Sequence, residues 1–199
     1  MKLYYAPGAC SLSPHIVAQE AGIPLELVKV DLKSHKTESG EDFYTINPKG
    51  YVPALKLDDG NMLTEGPAIV QYLADQKPAS NLAPANGTFA RYKLNEWLTF
   101  INSELHKNFG PLFSNPSDDV KKAQIEKIIK RFDYVNSQLG DKPFLLGDNF
   151  TVADAYLFVM LTWAQHLKVA VPDKLSAFFG RVAQRPNVHA AMKAEGLVK

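Results

Sequence analysis

A single cysteine, Cys10, follows a short apolar stretch and the Pro7-Gly8 pair, and Ser11 after it opens a helical pattern. A thiol in the first turn of a helix meets unpaired N–H groups and the positive end of the helix dipole. Both stabilise thiolate over thiol. The string Cys10-Ser11-Leu12-Ser13 has the C-x-x-S form of a one-cysteine redox site. Most lone cysteines are small buried hydrophobes, so it is the position that points to a reactive sulfur.

Two further places complement it. Val52-Pro53 puts a proline near the start of a strand, where it suits a cis peptide bond. The N–H and C=O of Val52 then point away from the sheet, and a peptide-like ligand can pair with them as a short antiparallel strand. The plainer alternative is an ordinary edge-strand proline. In Glu65-Gly66-Pro67, Gly66 reads as an N-cap and Pro67 as a first helical residue. That helix start offers the Gly66 N–H to a carboxylate, and Glu65 suits an ammonium. The alternative is that Glu65 only complements the helix dipole. Together the three loop ends fit a small peptide with a central thiol and a free amino-acid end, which describes glutathione.

The elements that must position these residues are legible in outline. Leu3–Tyr5 reads as a strand, Ser11–Gly22 as a helix and Leu25–Asp31 as a second strand, which predicts a parallel pair with a right-handed crossover. Residues 31–49 are polar, with a short helical piece near 42–46. Residues 52–57 and 62–64 form a hairpin across Asp58-Asp59-Gly60-Asn61. A helix then starts at Gly66-Pro67 and runs to Asp75. This βαβ…ββα order is that of the thioredoxin fold.

A Pro-, Ala-, Ser- and Asn-rich stretch follows, and beyond it no strand pattern recurs. Helical patterns cover 88–113, 117–139, 152–167, 173–184 and 187–193. The expected fold class is therefore α/β plus all-α. A thioredoxin-like glutathione-binding domain occupies 1–77, a linker 78–87 and an all-helical domain 88–199.

With 22 Lys+Arg against 21 Asp+Glu in 199 residues, the net charge is +1, which excludes a strongly basic nucleic-acid binder. One cysteine makes no internal disulfide, so a disulfide-stapled secreted fold is excluded too. The N-terminus lacks the apolar core of a signal peptide, and the longest apolar stretch, 155–164, is too short to span a bilayer. A cytoplasmic protein with no membrane partner is expected. His15, His35, His106, His166 and His189 are scattered without metal-ligand spacing, so no metal is expected. The basic run 121–131 alternates with isoleucines at helical spacing and reads as a solvated helix face.

Whole strings point to a family. Residues 5–15, YAPGACSLSPH, the run 47–55, NPKGYVPAL, with Leu63-Thr64-Glu65-Gly66, and the capping-box string 150–156, FTVADAY, resemble the bacterial beta class of glutathione transferases. The resemblance runs to the Ala194-Glu195-Gly196-Leu197 tail. It implies that Cys10 contacts the glutathione sulfur and can hold glutathione as a mixed disulfide. Val52 would bond the cysteinyl part, and Glu65 and Gly66 the γ-glutamyl end.

The long helix offers Thr99, Ser103 and His106, spaced by four and three on one face beside an apolar face of Leu94, Leu98, Ile101 and Leu105. In the resemblance, Thr99, Ser103, Glu104 and His106 approach glutathione, with His106 close to the sulfur as donor or base. Two positions depart from the pattern. Relatives commonly carry serine where Gly66 stands, and lysine where His35 stands to meet the glycyl carboxylate, so here either His35 or a neighbouring lysine takes that role.

By the same resemblance, glutathione is a substrate and no cofactor is needed. A hydrophobic pocket beside the helical domain takes small electrophiles, and the protein is a homodimer. The leading function is conjugation of the glutathione thiolate to such electrophiles. The alternatives are thiol–disulfide exchange through Cys10 in the manner of a glutaredoxin, and a non-catalytic binder of hydrophobic ligands.

Overall fold

The computed structural model describes residues 1–199, which divide into two compact units. The first comprises Met1–Leu82 together with Arg185–Lys199, and the second Ala83–Gln184.

The first unit is built on a five-stranded sheet in the order β3-β2-β1-β4-β5. Strand β1 (Lys2–Tyr5) pairs in parallel with β2 (Glu26–Asp31), placing Leu3 opposite Leu27. Helix α1 (Leu12–Ala21) makes the crossover. Its Leu12, Ile16 and Val17 are fully buried, and Gly22 ends it in the left-handed conformation (φ 64°) that costs glycine little. The hairpin of β4 (Ala54–Lys56) and β5 (Met62–Thr64) adds antiparallel to the other side of β1. Helix α3 (Gly66–Gln76) buries Ile69, Val70, Leu73 and Ala74 and packs against α1. Alternation along the strands sends Tyr4, Val30 and Ala54 to a separate cluster with Phe43, on the short helix α2 (Phe43–Ile46). Strand β3 (Lys36–Thr37) was not expected from the sequence. Two residues carry no periodicity, and β3 exists only through its antiparallel register with Val30 and Asp31.

The second unit is helical. Helix α4 (Phe89–Phe100) passes without a break into a π-helical turn (Ile101–His106) and a last turn, α5 (Lys107–Phe109). Helix α6 (Asp118–Leu139) is amphipathic and buries Ile128, Phe132, Val135 and Leu139. Helix α7 (Val152–His166) is apolar nearly all round and buried along most of its length, as a central helix must be. Helix α8 (Asp173–Ala183) buries Leu175, Phe178 and Val182 against this core.

The last helix, α9 (Pro186–Ala194), departs from the expected division. Counted by sequence order with the helical part, it packs on α1 and belongs to the first unit. Val188 and Ala191 are fully buried there. Its helical pattern is plain in the sequence, but the surface that receives it lies some 170 residues away, on α1, and leaves no local mark.

Candidate functional site

The loop from Ala6 to Ser11 holds Cys10. Ser11 is fully buried and does not cap α1 with its side chain. Its hydroxyl instead accepts from the Ala6 N–H (3.1 Å) and donates to the Ala6 carbonyl (3.2 Å), and Ala9 N–H donates to the same carbonyl. The Pro7-Gly8 turn, with Gly8 at φ 70°, is thereby closed on itself. The partly exposed Cys10 is left at its rim.

The Cys10 thiol donates to the carbonyl of Val52 at 3.3 Å. Val52 lies before β4, outside the ladder that begins at Ala54, and its bond to Pro53 is cis. The turn leading to it is fixed by Asn47, which is almost wholly buried. Asn47 donates to the Tyr51 carbonyl (2.8 Å), and its side-chain and main-chain oxygens accept from Lys49 N–H (3.2 Å) and Gly50 N–H (2.8 Å).

Glu65 is the N-cap of α3, one residue earlier than the sequence suggests, so Gly66 is the first helical residue. Its N–H is still one of the donors a helix start leaves unpaired within the helix. Glu65 has φ 71° and ψ 116°, a conformation costing about 1–3 kcal/mol for a non-glycine residue. Its Oε1 accepts from Lys49 Nζ (2.6 Å) and from the Tyr51 hydroxyl (2.8 Å). These bonds raise the pKa of Lys49 and of Tyr51 above their ordinary values. Nothing local in the sequence says that the 49–51 turn folds over a carboxylate fourteen to sixteen residues later, so these partners of Glu65 are not legible there.

His35, between β2 and β3, also has a left-handed backbone (φ 52°). Its Nδ1 meets the Gly50 carbonyl at 2.9 Å, and its ring lies over that of Tyr44, with centroids 4.6 Å apart. Cys10, Val52, Glu65, Gly66 and His35 thus all belong to the first unit.

Thr99, Ser103, Glu104 and His106 belong to the second. The expected apolar face of Leu94, Leu98, Ile101 and Leu105 is buried. Thr99 on α4 and Ser103 in the π-helical turn are exposed, and His106 at the end of that turn is half-buried beside Trp163, ring centroids 5.0 Å apart. Glu104 accepts from Arg131 Nε at 2.7 Å. The Tyr156 hydroxyl donates to Asn102 Oδ1 (2.9 Å), so its oxygen accepts from His106 Nδ1 (2.5 Å), and a neutral His106 ring carries its lone pair on Nε2. No periodicity could reveal Tyr156, fifty residues downstream.

Comparison with known proteins decides the family. Residues 8–76 match the model of the glutathione S-transferase N-terminal domain, and residues 118–194 that of the C-terminal domain. The chain is 47% identical to glutathione S-transferase GstA of Escherichia coli O157:H7, over 99% of this chain and 100% of that protein. The chain belongs to the glutathione S-transferase family. The bacterial transferase BphK, solved as a ternary complex, superposes with a TM-score of 0.96 at 57% identity, covering 99% of this chain and all of that one. The beta-class enzyme of Sphingomonas chungbukensis does so with 0.93 at 51% identity over the whole of both chains. The beta-class resemblance and the two-part fold stand, and the protein is a transferase enzyme.

In this transferase no helix is long and apolar enough to cross a membrane, and no three His, Cys, Asp or Glu side chains are grouped to hold a metal ion. The capping box of α7 is present. Asp154, fully buried, accepts from the N–H and hydroxyl of Thr151 (2.8 and 2.7 Å) and from the Leu145 N–H (2.8 Å). Burial nevertheless dominates and pushes its carboxyl up to about 6.

Proposed function

We propose that this transferase binds glutathione in its thioredoxin-like part and conjugates the thiolate to small hydrophobic electrophiles. The contact between the Cys10 thiol and the Val52 carbonyl carries the reading. A peptide that adds to Val52 as a strand places its own cysteinyl residue there, so its sulfur comes beside Cys10. Glu65 would take the γ-glutamyl ammonium, the Gly66 N–H its carboxylate, and His35 the glycyl carboxylate. Thr99, Ser103, Glu104 and His106 are the candidates from the helical unit, with His106 Nε2 able to accept the thiol proton. In the reaction the glutathione thiol loses its proton. Its sulfur then forms a bond to the electrophilic carbon, and the leaving group departs with its electron pair. Lowered thiol pKa and proximity supply the acceleration.

The partial exposure of Cys10 supports a second reading, thiol exchange. The Cys10 thiolate would attack the glutathione sulfur of a mixed disulfide and release the substrate thiol. A second glutathione would then free Cys10 and leave as glutathione disulfide. No cofactor enters either scheme. The homodimer implied by the family is supported by the strongly exposed Phe89 and Tyr92 on α4. A solution mass of one chain would remove that part. The cytoplasm, where glutathione is kept reduced, is the fitting compartment.

Cys10→Ala separates the two readings. Conjugation to an aryl halide should persist in the variant, and reduction of a glutathione mixed disulfide should vanish. Loss of both activities would mean that conjugation, too, needs the Cys10 thiol beside the glutathione sulfur. An inactive wild type would remove the conjugation reading.

A further inference from the structure

Tyr156, on the second turn of α7, is almost wholly out of solvent, and both halves of its hydroxyl are used. A buried phenol normally finds partners, so two bonds by themselves suit an ordinary core tyrosine. Their direction says more. Asn102 offers its amide oxygen, which accepts and does not donate, at 2.9 Å, so the single phenolic proton is committed there. Toward His106 the phenol oxygen is then an acceptor, 2.5 Å from Nδ1, and Nδ1 carries the proton of that bond.

The backbone holds these groups in register. Asn102 and His106 stand near the two ends of the π-helical turn, where the Lys107 N–H reaches back five residues to the Asn102 carbonyl. The turn packs on α7, and Tyr156 spans from one end of it to the other. Trp163 fixes the imidazole plane from another side, with centroids 5.0 Å apart and planes at 76°. Phe109 and Phe113 wedge Trp163 in turn, at 5.7 and 5.2 Å. All of these residues belong to the second unit.

We infer that Tyr156, oriented by Asn102, is a positioning residue for His106: it selects the Nδ1–H tautomer and leaves the Nε2 lone pair to take the proton of the glutathione thiol. Its consequence for turnover rests on the proposed conjugation, its geometry on the second unit alone. The arrangement is a clamp and not a proton wire. When the thiol proton moves to Nε2, the electron pair of the S–H bond stays on sulfur and the ring becomes an imidazolium. The Nδ1 proton has no onward route, because the phenol's own proton faces an amide oxygen that does not take one up. The proton gained at Nε2 leaves by the same edge to water, and the ring returns to its starting tautomer. In the imidazolium the bond to the phenol oxygen is charge-assisted. The clamp therefore favours the proton-bearing state over the ground state and acts on turnover rather than on binding.

Two-bond proton–nitrogen NMR spectra of the intact chain, labelled with nitrogen-15 and recorded at about pH 8, where imidazoles are ordinarily neutral, report which ring nitrogen carries hydrogen. His106→Asn identifies the His106 signals among the five histidines. The parent should show Nδ1–H at His106, and Tyr156→Phe should convert it to Nε2–H or to a mixture. With an aryl halide as electrophile, Tyr156→Phe should lower kcat at least about tenfold and leave the KM for glutathione within about twofold. Asn102→Ala should lose similar turnover, since the phenolic proton is then free to turn toward His106. Asn102→Asp, whose carboxylate still only accepts, should recover most of that loss. Nε2–H in the parent would mean that the amide presents its nitrogen to the phenol, and overturns the clamp. An unchanged kcat in Tyr156→Phe, whatever KM does, or equal losses in the two Asn102 variants, would make Tyr156 a core residue only. A parent without conjugating activity removes the conjugation reading and leaves the clamp to be decided by the spectrum, which needs no glutathione.

Discussion

Glu65 combines a left-handed backbone with a carboxylate already engaged by Lys49 and Tyr51. Its side chain is half exposed, so its worth to stability is small. Its worth to an ammonium ligand is larger, because a charge-assisted bond to a prepositioned carboxylate contributes about 1.5–3 kcal/mol. Glu65→Gln should therefore raise the KM for glutathione at least about tenfold while leaving the melting temperature within a degree or two of the parent. Kinetics at saturating electrophile, paired with a thermal melt, check both halves, and an unchanged KM would remove Glu65 from the ligand's amino end. At this scale the sequence shows which groups have useful chemistry and hides their partners. Glu65 is visible as a charge beside a helix start. That Lys49 already answers it, or that the Gly50 carbonyl meets His35 Nδ1, depends on a turn whose shape is set by the buried Asn47.

At the scale of elements, local signals lie close to the true bounds because the physics behind them is local. Gly22 ends α1, the Asp58–Asn61 turn joins β4 to β5, and Thr151 with Asp154 opens α7. The π-helical turn leaves no such local signal. Its residues have an ordinary helical pattern, and the turn packs against α6 and α7, whose contacts with it lie far along the chain. The capping box yields a prediction with an unusual sign. The Asp154 carboxyl sits near 6 in the fold, against about 3.9 in an unfolded chain. Between those values the folded state holds a proton that the unfolded state releases. Its contribution is thus fully present below the lower value and lost as pH rises through about 6. Asp154→Ala removes three buried hydrogen bonds and should lower stability, by about 1–3 kcal/mol at neutral pH. The gap to the parent should widen by about 1 kcal/mol on going from pH 7.5 to 5, opposite to the behaviour of a salt-bridged aspartate. Urea unfolding at the two pH values decides this, and a gap that narrows in acid would refute it. Any folded variant should still bind glutathione, since the site elements do not include α7's first turn.

At the scale of the whole molecule, the first unit is completed by the chain's last fifteen residues. Glu195 is the residue that ties them to the site. Its Oε1 lies 2.9 Å from His15 Nδ1 on α1, and its Oε2 accepts from the Gly8 N–H at 2.9 Å, in the turn that presents Cys10. Both side chains of the pair are out of solvent, at 2% and 0% exposure. Leu197 covers Gly8 from outside, close enough that an added Cβ would meet it at 3.3 Å. Arg185 anchors the start of the same segment through a two-pronged pair with Glu20 (2.7 and 2.9 Å). Truncating Glu195 leaves the His15 ring nitrogen and the Gly8 N–H without their acceptor, at a cost of about 2–5 kcal/mol. Glu195→Ala should therefore lower the melting temperature by several degrees. Because the lost bond is to Gly8, it should also loosen the loop and speed alkylation of Cys10 by iodoacetamide at temperatures well below the melt. Stability loss with an unchanged alkylation rate would mean that α9 braces only the body of α1. An accelerated rate would mean that Glu195 holds the loop that carries the Cys10 thiol.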